Sequence, residues 1–98
     1  MIHVAVDKER IAAFCRSHRI RRLAVFGSAV RDDFGPESDV DVLVEFEPEA
    51  RVGFVALARA ARELSAIVGR RVDLVPQSGL KPLVRDAVMA EAEVLFAQ

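Results

Sequence analysis

The chain has little of several things that would have suggested a function at once. Cysteine occurs once, at Cys15, so an internal disulfide and a thiolate metal cluster are both excluded. No apolar run approaches the roughly 20 residues needed to span a bilayer, which argues against a membrane protein. The formal net charge is only −1, whereas a general nucleic-acid binder normally shows a basic domain or stripe, so direct nucleic-acid binding is not expected. The N-terminus reaches Asp7, Lys8 and Glu9 without a basic segment followed by an apolar one. With no signal peptide in view, the expected location is cytoplasmic.

What remains is a soluble composition, 52% hydrophobic and 30% charged over 98 residues. That length suits one compact domain, residues 1–98, with a single core. Charge is unevenly spread along it. Between Asp32 and Glu49 stand eight acids (Asp32, Asp33, Glu37, Asp39, Asp41, Glu45, Glu47, Glu49) and no Lys or Arg. Such a block is usually a solvated loop, and it is also a place where cations bind. Arg16, Arg19, Arg21 and Arg22 form a basic cluster, read first as charge complementing a helix C-terminus plus ordinary solvation, with phosphate or partner contact as the alternative. His3 and His18 lie in no metal-ligand spacing.

Periodicity supplies the elements. Asp7 is placed to cap a helix over about residues 8 to 18, with Ile11, Phe14, Cys15 and His18 on one face. Cys15 is therefore expected as a buried structural thiol. Leu23 to Phe26 reads as a strand entering a turn at Gly27-Ser28, followed by a short helix over 29 to 33 that Gly35-Pro36 stops. Residues 39 to 46 form a second strand and 71 to 76 a third. A helix over 52 to 68 has Phe54, Leu57, Ala58, Ala61, Leu64 and Val68 at helical spacing, with Gly69 just beyond it. A last helix is expected from about 80 to 96, with Pro82 in its first turn and Leu83, Val84, Val88, Val94 and Leu95 on its apolar side. This order predicts a two-layer α/β or α+β domain around a small sheet of three to four strands.

Asp is depleted in strands, yet Asp39 and Asp41 interrupt a run of Val and Leu. Strand alternation directs both to one face, with Cα atoms roughly 6.5 Å apart, and sends Val40, Val42 and Val44 to the other. Asp73 is another isolated acid, between Val72 and Leu74, and reaches the first two if its strand lies beside theirs. Carboxylates so crowded repel one another unless a hard divalent cation such as magnesium resolves the charge. Upstream, Gly27 would let a phosphate approach the backbone and Ser28 would add a hydroxyl donor. Arg31, one turn on, is positioned either for a phosphate oxygen or simply for solvent.

The run Phe26-Gly27-Ser28-Ala29-Val30-Arg31, followed after ten residues from Ser28 by Asp39-Val40-Asp41-Val42-Leu43-Val44, resembles the Gly-Ser…Asp-x-Asp signature of the nucleotidyltransferase superfamily. Chain length, Asp73 and the 80–96 ending are similar to its minimal, MNT-type branch. The resemblance implies a nucleotidyltransferase fold with a mixed sheet flanked by helices. It implies that Asp39 and Asp41 ligate two magnesium ions, that Asp73 completes the site and helps to deprotonate the acceptor, and that Gly27 and Ser28 hold phosphates of ATP. Many relatives carry Gly directly after the motif arginine, where this chain has Asp32. The branch typically comprises antitoxins paired with a HEPN-domain ribonuclease toxin, with AMP transferred to a tyrosine of the toxin. This chain contains no tyrosine, so the acceptor is expected on a partner in a hetero-oligomer. Two other readings stand beside that one: a module that neutralises its partner by occlusion, and transfer to a small molecule.

Overall fold

The computed structural model describes residues 6–31 and 35–98. His3, Asp32, Asp33 and the last residues of the expected 29–33 helix lie outside them. The first helix, α1 (Lys8–Ser17), begins where Asp7 accepts hydrogen bonds from the Glu9 and Arg10 amides at 3.0 and 3.2 Å. Its inward residues Ile11, Phe14 and Cys15 are buried. The chain turns at His18 and at Arg19, which adopts φ 58°, and enters strand β1 (Ile20–Phe26).

β1 is three residues longer at its start than the apolar run Leu23–Phe26 suggested, because it has partners on both sides. It pairs antiparallel with β2 (Val40–Phe46), and β2 pairs in parallel with β3 (Val72–Pro76), giving a sheet of order β3-β2-β1-β4. The parallel connection from β2 to β3 runs through α2 (Phe54–Val68), which ends at Gly69 in the left-handed region at φ 77°. Ser65 binds α2 to β3: its hydroxyl donates to the Ala61 carbonyl at 2.8 Å and accepts from the Val72 amide at 3.0 Å.

The alternation read from the sequence is realised in the sheet. Val40, Val42 and Val44 are each 1% exposed and join Leu23, Val25, Val72 and Leu74 in a core with Ile11, Phe14, Cys15, Ala60 and Leu64. The burial of this layer favours the register, since a one-residue slip would turn the aspartates inward. Cys15 is fully buried, and burial pushes its thiol up to about 12. His18 packs against Phe14 with the rings tilted by 45°, and its Nε2 lies 2.8 Å from the Glu63 carboxylate.

Three expectations need correction. The last helix does not run to residue 96. Helix α3 (Pro82–Glu91) stops at Ala92, whose backbone is extended, and Glu93–Ala97 form strand β4 on the open edge of β1. The residues Val94-Leu95-Phe96 suit a strand as well as a helix, and periodicity alone does not separate the two in so short an apolar run. Pairing with β1 decides it, because an uncovered β1 edge would leave a row of backbone groups unpaired. Second, Phe54, Leu83 and Val84, all expected on apolar helix faces, are 91%, 86% and 48% exposed, each in the first turn of its helix, and Ala58 is exposed as well. Third, the segment after β1 begins earlier than expected, as a single 3₁₀ turn over Gly27–Val30.

The arginine cluster divides between elements. Arg16 lies in the last turn of α1, Arg19 contacts Glu47 at 3.1 Å, and Arg21 faces Glu45 at 3.9 Å. The exposed contacts of Arg19 and Arg21 agree with surface pairing, whereas Arg22 is half-buried with its Nε out of solvent, which ordinary solvation does not describe. No helix among the described residues is long and apolar enough to cross a membrane.

Candidate functional site

The C-terminal end of β1 and the N-terminal ends of β2 and β3 meet at one end of the sheet. In the register, Phe26 pairs with Asp41, and Asp41 pairs with Asp73. Partners in adjacent strands project to the same face, so Asp41 and Asp73 are side by side, and Asp39, immediately before β2, shares that face by alternation. The condition left open in the sequence, that the third strand lie beside the second, is therefore met. Asp41 is half-buried, whereas Asp39 and Asp73 are exposed.

Gly27 closes the site on the β1 side. Its φ is 73°, and a Cβ built there would collide with the Asp41 carboxylate oxygen and lie 3.3 Å from Asp41 Cγ. Glycine is thus required twice at this position, for its backbone conformation and for the space it leaves to Asp41. Ser28 is half-buried in the 3₁₀ turn, and its carbonyl accepts the Arg31 amide at 3.1 Å.

The electrostatics follow from this crowding. Burial, then the charges of Asp73 and Asp39, push the Asp41 carboxyl above its ordinary value; Arg31 opposes the shift and Glu91 adds to it. Among the described residues no three His, Cys, Asp or Glu side chains form a closed set around a cation position. The donors nevertheless fit a hard divalent ion. All are carboxylate oxygens, two are adjacent in register, and their mutual repulsion favours a counter-charge. Magnesium commonly takes only one or two carboxylates and completes its shell with water and substrate phosphate.

Two site-forming residues escaped the sequence reading. Arg70, just after α2, donates to the carbonyls of Gly35 and Ser38, both at 2.8 Å, and so ties the loop before Asp39 to the start of β3. An open cleft of about 470 Å³ beside Asp39 is lined in part by Arg70 and Arg71. Glu91, the last residue of α3, accepts the Gly27 amide at 2.9 Å on Oε1 and lies 3.6 Å from Arg31 through Oε2. The only sequence signal for Glu91 was its sign: an acid at the C-terminal end of a helix opposes the dipole. Extending the helix to residue 96 concealed that end.

A nucleotidyltransferase-domain family model matches residues 8–95. The chain belongs to this family. A protein adenylyltransferase, MntA, of Thermococcus cleftensis is 41% identical over 73 residues, covering 74% of this chain and 71% of that protein. A solved structure described as a minimal nucleotidyltransferase is 36% identical with a TM-score of 0.74, over 88% of this chain and 86% of that one. The fold is also that of the MNT antitoxin complexed with the tri-AMPylated Shewanella oneidensis HEPN toxin, with a TM-score of 0.67 at 18% identity, over 93% of this chain and 70% of the neighbour's. The four-stranded mixed sheet with its three helices is accordingly the nucleotidyltransferase fold.

Proposed function

We propose that this chain transfers AMP from ATP to a hydroxyl of a partner HEPN-type toxin, a tyrosine by preference, and acts as its antitoxin. The observation that carries the reading is the in-register pair Asp41 and Asp73, with Asp39 two residues upstream and a glycine turn packed against Asp41. The adenylyltransferase name of the Thermococcus relative and the AMPylated HEPN complex of the structural neighbour support the choice of reaction and acceptor.

In this reading Asp39 and Asp41, with Asp73 completing the site, would hold two magnesium ions. When bound, the metal neutralises triphosphate charge and acidifies the acceptor hydroxyl. The Gly27-Ser28 turn and Arg31 would receive the β and γ phosphates. The acceptor oxygen attacks the α-phosphorus in line as the bond to the bridging oxygen breaks, and pyrophosphate leaves with that electron pair. Asp73, exposed within β3 beside Asp41, takes the acceptor proton. The chain's own contribution is mainly to hold the reacting groups in position. With no tyrosine of its own, it cannot be its own tyrosine acceptor.

The test uses labelled ATP, magnesium and the purified HEPN partner. Label should reach the partner with the parent chain and disappear with Asp39→Asn or Asp41→Asn while the complex still forms. Inhibition of the partner that survives both substitutions without any label transferred would replace transfer by occlusion.

A further inference from the structure

Glu91 is at the junction of α3 and β4, and the junction's position is set by the sheet. β4 runs antiparallel to β1 with Glu93 opposite Val25. Two residues on from Val25 and two back from Glu93, Gly27 and Glu91 come opposite each other, beyond the last ladder pair. Its carboxylate then meets two donors with different functions: Oε1 takes the Gly27 amide at 2.9 Å, and Oε2 lies 3.6 Å from the Arg31 guanidinium.

A carboxylate at this helix end does nothing for α3 itself, since the C-terminus carries the negative end of the dipole. What it meets instead is the turn in which Gly27 holds a positive φ. Gly27 holds φ 73° with its Cα against the Asp41 carboxylate, so a small rotation of that peptide would move the turn relative to the acid. A hydrogen bond from its amide to a charged acceptor opposes such rotation and is stronger than a neutral one. The longer contact to Arg31, whose side chain is 54% exposed, is worth less alone and serves mainly to orient the guanidinium.

We propose that Glu91 is a positioning residue for the phosphate side of the site, fixing the Gly27 turn and the Arg31 guanidinium beside Asp41. The inference rests on the nucleotidyl-transfer reading for its consequence and on the two contacts for its geometry. Because the groups it positions face the triphosphate both before and during reaction, its loss should act on KM for ATP more than on kcat. The neighbouring strand β4 therefore belongs to the site indirectly, as the element that fixes where Glu91 lies.

The experiment compares the parent with Glu91→Ala and Glu91→Gln in the presence of the partner. Glu91→Ala should raise KM for ATP on the order of tenfold with kcat changed by no more than about twofold. Glu91→Gln retains an oxygen for the Gly27 amide and should recover KM to within about threefold of the parent. In parallel, exchange of the Gly27 amide with solvent, followed by NMR on the full chain, should be slow in the parent and in Glu91→Gln and at least about tenfold faster in Glu91→Ala. An unchanged KM and unchanged exchange in a folded Glu91→Ala overturns the inference. A lowered KM also overturns it, since the carboxylate would then be competing with phosphate. If the parent transfers no AMP, the transfer reading fails by itself, and the Gly27 exchange together with magnesium-dependent ATP binding decides the role of Glu91.

Discussion

Gly27→Ala tests the site by its smallest possible addition. The new methyl group incurs two separate costs. Placing an L-residue at φ 73° costs about 1–2 kcal/mol. Displacing the Asp41 carboxylate, whose oxygen and Cγ both lie within tight contact of the added carbon, costs about 1–3 kcal/mol by comparison with overpacked cores. The sum, about 2–5 kcal/mol, corresponds to a fall in Tm of at least about 8 °C for a chain of this size. Asp41→Ala removes the obstructing atoms and leaves only its own Cβ, 3.5 Å from the added carbon, an ordinary contact. In that background Gly27→Ala should cost only the backbone part. Urea denaturation of the four proteins of the cycle should give a coupling of about 1–3 kcal/mol between positions 27 and 41. A coupling below about 0.5 kcal/mol would show that Gly27 is required for its backbone alone and that Asp41 does not press against it.

Three further outcomes follow from burial and charge. The Asp41 carboxyl is raised in the folded protein, so between its ordinary value and the folded one the native state binds more protons, and stability falls as pH rises through that window. At pH 7 in chelator, Asp41→Asn should therefore melt higher than the parent, and magnesium should stabilise the parent alone; the opposite order would remove the repulsion argument. Cys15, buried with its thiol pushed up to about 12, should resist a thiol reagent at pH 8 until urea unfolds the chain. Stability linked to this thiol is retained up to about pH 9 and lost as pH rises from there toward 12; rapid labelling of the folded protein would contradict its burial. Truncation after Ala92 removes β4 and bares the β1 edge, so the product should self-associate on size exclusion, whereas a stable monomer would mean that β4 contributes little to covering it.

The fold was legible where local pattern and tertiary environment agree. The Asp7 cap, the α1 face, the valines of β2 and the left-handed Gly69 are all local signals that packing then reinforces. β4 was not legible, because the decision between helix and strand for Val94-Leu95-Phe96 is made by another part of the chain. Only the open edge of β1 selects the strand. Phe54 and Leu83 misled for a related reason: helical spacing identifies the face a residue shares, but the first turn of a helix can project beyond the element it packs on.

The site divides along the same line. Spacing alone placed Asp39 and Asp41 on one face, since alternation is a property of any strand. The approach of Asp73 required a parallel pairing of β2 with β3, and that in turn required α2 to cross between them, so the sequence could state it only as a condition. Glu91 was beyond even a conditional statement. Its position depends on α3 stopping at Ala92, and α3 stops because β4 pairs with β1 with Glu93 opposite Val25. One pairing register therefore settles both the structural element that local pattern misassigned and the carboxylate that reaches Gly27, which is why the two were missed together.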